Sequence, residues 1–197
     1  MGGVASGKSL AANMLVGLGA GLLDADRAGH AVLAEDDDVR NALRQRWGDA
    51  VFAPDGSVDR AAVAERVFAE GDEARADREF LEGLTHPRIR RRLHDLRDKH
   101  AAEDKPAAVL DAALLLEAGW NDIADIVVMI DAPREVRLAR ARRRGWTEAE
   151  FARREAAQWP VEQKRRLADA VISNDGTQEQ LREAVRTFWN HHIDAGA

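Results

Sequence analysis

The sequence predicts an α/β fold, a parallel sheet flanked by helices with a helical insertion, and three observations carry that reading. Short apolar runs that end in aspartate, at 22–24, 107–111 and 123–131, alternate with segments of helical periodicity, as strands buried on both faces do. A glycine-rich stretch from Gly2 to Ser9 runs straight into a helical pattern. Between about 27 and 103 the chain is helix-rich without a strand-like run, which reads as a lobe inserted into the sheet-forming chain.

The elements follow in order. Leu10, Met14, Val16 and Leu18 form a rough helical stripe after Lys8, stopped at Gly19–Ala20–Gly21, and Leu22–Leu23–Asp24 is a short strand after it. If that strand runs on, Asp24 and Asp26 share one of its faces, because residues i and i+2 of an extended chain do. The helix-rich region is punctuated by Pro54–Asp55–Gly56, by Gly71–Asp72 and by Thr85–His86–Pro87. Ala107–Asp111 is the second strand, and Ile123–Asp131, rich in β-branched residues, the third. An arginine-loaded helix follows Pro133, and Thr147 with Glu150 forms a capping box for the next. The span 169–172 is a fourth strand, and Thr177 with Gln180 opens a last helix that runs to about Trp189.

Composition narrows the function. With 197 residues, 45% apolar, 15 Gly and 5 Pro, the chain is globular rather than collagen-like or disordered. A net charge of −6 argues against a nucleic acid gripped across a broad basic face, and five scattered tryptophans offer it no stacking platform. Without cysteine there is no thiol nucleophile or thiolate metal site, and no apolar run reaches the roughly 18 residues of a membrane span. A reducing cytosol fits.

The chemistry starts at Gly2–Gly3–Val4–Ala5–Ser6–Gly7–Lys8–Ser9, a full match to G-x-x-x-x-G-K-[ST]. Its glycines let backbone N–H groups turn toward phosphate oxygens, the helix N-terminus adds positive partial charge, Lys8 reaches the β- and γ-phosphates, and the Ser9 hydroxyl is a ligand for Mg²⁺ arriving with ATP. Asp24 and Asp26, just past a strand near that loop, are candidates to take a proton from a hydroxyl acceptor, or to cap the following helix. Arg134, Arg137, Arg140, Arg142, Arg143 and Arg144 load one helix with positive charge, an ordinary solvated face in part, but also the makings of a lid near 134–160 that neutralises triphosphate. A second basic patch, Arg88 to Arg92, follows the lone His86.

Taken together, GGVASGKS, LLDAD, THPRIR, VLDAALLLEAG, IVVMIDAP and AAQWPVEQKRRLADAVISNDG resemble, in order and spacing, the dephospho-coenzyme A kinase family over nearly the whole chain. The resemblance implies a P-loop NTPase fold. Residues 1–26 and 104–197 would form the nucleotide-binding core and 27–103 an acceptor-binding lobe, in a single kinase domain. It implies ATP-dependent, Mg²⁺-dependent phosphorylation of the ribose 3′-hydroxyl of dephospho-coenzyme A, the last step of coenzyme A biosynthesis, with Asp26, Lys8 and Arg140 as catalytic residues. ATP would be bound by Gly3, Val4, Ala5, Ser6, Gly7, Lys8, Ser9, Leu10 and Arg143, with Asn174 and Gly176 near adenine; Asp24, His86, Arg90, Leu115 and Glu117 would meet the acceptor. Leu10 stands where the family often has Thr, Ala113 replaces a common Pro, and a shortened arginine stretch leaves Arg142 and Arg143 interchangeable. Met1 precedes the loop directly, with no room for the apolar strand that the fold places there, so the natural product is expected to begin upstream and the chain from Met1 to be barely stable or inactive. The alternatives are a P-loop kinase of a nucleoside, nucleotide or shikimate-like acceptor and, from another class, a non-catalytic nucleotide-binding module; for GTP the latter would want an Asn-Lys-x-Asp motif, which is absent.

Overall fold

A computed structural model describes every residue except 113–114, 116–118 and 195–197. The chain divides into two compact units, one formed by Met1–Asp24 with Arg97–Ala197 and the other by Ala25–Leu96.

The first unit is the α/β part. Helix α1 (Lys8–Gly17) leads to β1 (Gly21–Asp24), which pairs in parallel with β2 (Ala108–Asp111) in the register Asp24 to Asp111. A second parallel pair joins β3 (Val128–Asp131) to β4 (Ala170–Ser173). Met1 runs beside β3: its nitrogen donates to Val128 O at 2.6 Å and its carbonyl accepts from Ile130 N at 2.8 Å. Between β3 and β4 lie α6 (Arg134–Arg143), α7 (Glu148–Ala156) and α8 (Val161–Arg166), numbered after the second unit's helices, and α9 (Gln178–His192) closes the chain. Leu181 and Val185 of α9 pack with Ala11 of α1 against Ile130 and Ile172. The buried stripe of α1 therefore runs through Ala11, Met14, Leu15 and Leu18, whereas Leu10 and Val16, expected inside, are exposed. A spacing of three and four residues wins over the looser one read from the larger side chains.

Two strand expectations are corrected. The third strand was expected from Ile123, but Trp120–Ile123 is a 3₁₀ turn and β3 covers only Val128–Asp131. Its length is set by its partner: the Asp169 side chain accepts from Val127 N at 2.7 Å, and the four residues of β4 pair from there. Nor do Asp24 and Asp26 share a strand face. The strand stops at Asp24, and Asp26 lies in the first turn of α2 (Ala25–Glu35), where a carboxylate favours the helix dipole.

The second unit is helical: α2, α3 (Asp37–Trp47), α4 (Arg60–Val67) and the larger part of α5 (Asp72–Ala102). Asp36 caps α3, accepting from Val39 N, and also pairs with Arg88 of α5 at 3.1 Å; Val39, Leu43 and Trp47 then fall on one buried face. The break expected at Thr85–His86–Pro87 does not occur, and α5 runs through it. Pro87 takes away the donor for Gly83 O, and side chains serve the neighbouring carbonyls, Thr85 Oγ1 at Leu81 O (2.7 Å) and Arg88 Nη1 at Leu84 O (2.8 Å). Burial of Thr85, Ile89 and Leu93 along one face holds the helix together across the proline.

Asp77 is the electrostatic anchor of this unit. It is buried, with Arg46 at 2.9 Å and Arg66 at 3.6 Å. Burial alone would raise its carboxyl. The Trp47 indole N–H, short of full hydrogen-bond geometry, the bonds from Arg46 and the charges of Arg46 and Arg66 outweigh it and hold the carboxyl below its ordinary value. Because both arginines keep access to water, Asp77→Ala is expected to cost about 1–3 kcal/mol rather than the larger penalty of a fully buried pair. A carboxyl depressed in the folded state stabilises above its ordinary value of 3.8 and stops doing so as pH falls through the lower folded-state value. Urea unfolding should therefore separate the parent from Asp77→Ala at neutral pH, with the gap narrowing as pH falls below 3.8; a gap that stays equal into acid contradicts the assignment.

Candidate nucleotide site

The glycine-rich loop bends back on itself before α1. Gly7, the N-cap, has φ +98°, and a Cβ there would strike the Asn174 amide, so this position needs glycine both for its conformation and for space. At Gly2 a Cβ would strike Ile130 O and come within 2.6 Å of the buried Ser6 Oγ. Ala5 sits at φ +58°, a left-handed conformation that costs an L-residue about 1–2 kcal/mol. Lys8 folds over the loop, donating to Gly2 O at 3.3 Å and Gly3 O at 3.2 Å.

The residues beyond the carboxyl ends of β3 and β4 brace this loop. Asn174 donates from its backbone to Asp131 O at 2.7 Å and from Nδ2 to Ser6 O at 2.7 Å, while its Oδ1 accepts from Arg140 Nη2 at 3.2 Å. Arg140 also donates to Asn174 O at 2.9 Å and to Ser6 O at 3.3 Å. Both ends of the Asn174 amide, expected near adenine, are thus engaged with Arg140 and the loop. Arg140, expected to meet the reacting phosphate, has its guanidinium against three protein oxygens. Burial first, then the charges of Arg143 and Arg144, push that guanidinium below its ordinary value; it remains a cation.

A cavity of about 480 Å³ opens over the loop, lined by Ala5 to Leu10, by Arg140, Arg143 and Arg144, and by Asn174 and Gly176 to Gln178 at the start of α9. It brings together most of the expected ATP residues, Ala5, Ser6, Gly7, Lys8, Ser9, Leu10, Arg143, Asn174 and Gly176; Gly3 and Val4 instead line a second cavity of about 290 Å³ with Arg134, Arg137, Glu155 and Trp159. Arg143 and Arg144 are exposed and their side chains make no hydrogen bond or ion pair among the described residues. With Lys8 and Arg140 they crowd positive charge that a polyphosphate relieves, in a chain whose net charge is −6. Two helix N-termini, those of α1 and α9, border the same space and add partial positive charge.

The sequence reading held Arg144 only as one of six candidate lid arginines and Thr177 only as a helix cap, and it passed over Gln178. A signal for the last two was present, since the Thr177–Gln180 capping box, both halves of which form, marks a helix start directly after Asn174 and Gly176. It also passed over the pairing of buried Arg137 with half-buried Glu155, 2.7 Å apart, which no pattern marks. Burial would raise the Glu155 carboxyl, but hydrogen bonds and charge from Arg134 and Arg137 hold it below the ordinary range.

Of the residues expected at the acceptor, Asp24 ends β1 beside Asp111, and Leu115 is buried, its carbonyl accepting from Trp120 N. His86 and Arg90 lie four residues apart on one face of α5 in the helical unit. Glu117 falls outside the described residues. No helix among the described residues is long and apolar enough to cross a membrane.

The family model described as dephospho-CoA kinase matches residues 1–180. Dephospho-CoA kinase of Geobacter sulfurreducens is 36% identical over 193 residues, covering 95% of this chain and 94% of the relative. That of Geobacillus kaustophilus is 34% identical over 185 residues, covering 93% and 90%. A crystal structure of a Thermus thermophilus protein superposes with a TM-score of 0.80 at 30% identity, over 97% of this chain and 94% of that one. Dephospho-CoA kinase from Campylobacter jejuni superposes at 0.73 with 22% identity, over 100% and 96%, a likeness that speaks for the fold.

Proposed function

The chain belongs to the dephospho-CoA kinase family, and from that premise we propose that it transfers the γ-phosphoryl of ATP to the 3′-hydroxyl of the ribose of dephospho-coenzyme A, releasing ADP and coenzyme A. The observation that carries this reading is the braced phosphate loop under a cavity rimmed by Lys8, Arg143 and Arg144. Loop N–H groups and the N-terminus of α1 receive the phosphates, and Lys8 balances charge on the β- and γ-oxygens. Arg143 and Arg144 add guanidinium groups to the same charge, and Arg140 holds the loop and Asn174 in place.

The acceptor oxygen forms its bond to phosphorus as the bond to the ADP oxygen breaks, and Asp26 takes the hydroxyl proton. What supports Asp26 is its place in the first turn of α2, two residues past the end of β1. Asp24, His86, Arg90, Leu115 and Glu117 are the acceptor contacts that the family resemblance puts forward. The donors fit a Mg²⁺ ion carried in on the nucleotide: the exposed Ser9 hydroxyl at the cavity would hold it, and no group of three His, Asp or Glu among the described residues makes a protein cage. When bound, the ion supplies neutralising charge to the phosphate oxygens. The same reading places the reaction in the cytoplasm.

A panel of acceptors with ATP, read as ADP release, tests the assignment. Dephospho-coenzyme A should drive ADP formation, while nucleosides, nucleotides and shikimate leave it at the no-acceptor level. Equal turnover with a nucleoside or nucleotide overturns the substrate; ATP binding with no acceptor-dependent ADP overturns the kinase.

A further inference from the structure

Arg137 lies outside the nucleotide cavity, yet its guanidinium touches three parts of the chain that surround the phosphate loop. Nε donates to Ala132 O, just past β3, at 3.1 Å; Nη1 reaches Val4 O in the loop at 3.4 Å and Glu155 Oε1 on α7 at 2.7 Å. The side chain is buried, and Glu155 is fixed from its other side by Arg134 Nε at 2.9 Å. The loop is shaped around this group: a Cβ at Gly3 would come within 3.0 Å of Arg137 Nη1. Beneath it, Phe151 of α7 is fully buried with Val4, Ala5 and Ala141, and the guanidinium carbon stands 5.6 Å from the Phe151 ring centre. Ala5, the loop residue held in a left-handed conformation, belongs to that same cluster. A non-glycine residue stays in such a conformation only where its surroundings over-determine it, and here those surroundings are α6 and α7.

We propose that Arg137 and Glu155 are positioning residues for the phosphate loop, the buried Arg137 guanidinium, paired with the half-buried Glu155, holding the Val4 carbonyl so that the loop N–H groups face the nucleotide phosphates. The inference rests on the kinase reading above. Arg137 acts through the Val4 carbonyl and the loop backbone; the planar fork, with donors in fixed directions, is what lets one side chain serve three acceptors.

The test uses the whole chain and three variants, Arg137→Gln, Arg137→Lys and Glu155→Gln, with ADP binding measured by calorimetry beside steady-state kinetics. A displaced loop affects nucleotide and acceptor unequally. Arg137→Gln is expected to raise the Kd for ADP and the KM for ATP by about 10- to 100-fold, with the KM for dephospho-coenzyme A moving less than about threefold. Arg137→Lys, which keeps the charge and loses the fork, should fall on the same side rather than restore the parent. Glu155→Gln leaves both carbonyl bonds of Arg137 available and should give a smaller rise of about 3- to 10-fold, and it decides the matter if the arginine variants do not fold. A folded Arg137→Gln protein that binds ADP within about twofold of the parent, or one in which both KM values rise together, overturns the proposal; so does a Glu155→Gln protein with parental ADP affinity when the arginine variants cannot be read. Parent protein that binds ADP but shows no acceptor-dependent turnover instead overturns the kinase reading, and the ADP-binding comparison still decides the role of Arg137.

Discussion

Replacing Lys8 with alanine should lower kcat/KM by about 10²–10³-fold or more while leaving the fold in place. The ammonium is at the first position of α1, held over the loop by Gly2 O and Gly3 O. Alanine is the best helix former, so α1 keeps its start, and the loss falls on charge and on closure of the loop. Lys8 is the cation of the G-x-x-x-x-G-K-[ST] motif, so its removal takes from the cavity the one positive charge that the motif itself supplies. Steady-state kinetics beside a thermal melt check this. A variant with the parent's melting temperature and turnover reduced less than about tenfold contradicts the role assigned to Lys8.

Asp26→Asn should leave nucleotide binding near the parent's and lower kcat by about 10²–10⁴-fold, the usual contribution of a positioned base. The two effects separate because Asp26 is in the first turn of α2 and not in the loop that receives phosphate. Loss of its charge there also weakens the helix-dipole interaction by about 0.3–1 kcal/mol, and a thermal melt of the variant reads the stability change separately. ADP binding by calorimetry and single-turnover phosphoryl transfer separate binding from chemistry. A normal transfer rate in Asp26→Asn removes it from the base role.

How much of this was legible in the sequence varies residue by residue. Gly7 and Lys8 were plain, because a backbone that must turn through φ +98° under a neighbouring amide writes itself as glycine. The α9 cap at Thr177 was plain for the same local reason: its hydrogen bonds join residues three apart. Pro87 misled because the local rule ends a helix there, whereas burial along α5 and side chains bonded to Leu81 O and Leu84 O carried it through. The Arg137–Glu155 pair was illegible because it depends on how α6 and α7 cross over the loop, which no spacing within either helix records. Arg137 had been noticed only as one basic residue among six, and only burial separates it from Arg142, which is exposed and pairs with Glu148 at 2.9 Å.

The central claim is that a phosphoryl group leaves ATP at this loop and arrives on one hydroxyl of one acceptor. The most direct measurement is the position of the new phosphate after incubation of the chain with ATP, Mg²⁺ and dephospho-coenzyme A, read by phosphorus NMR of the purified product. The account predicts coenzyme A, with a phosphate on the ribose 3′-oxygen and one ADP formed for each; phosphate on another oxygen, or ADP formed without a phosphorylated acceptor, would contradict it.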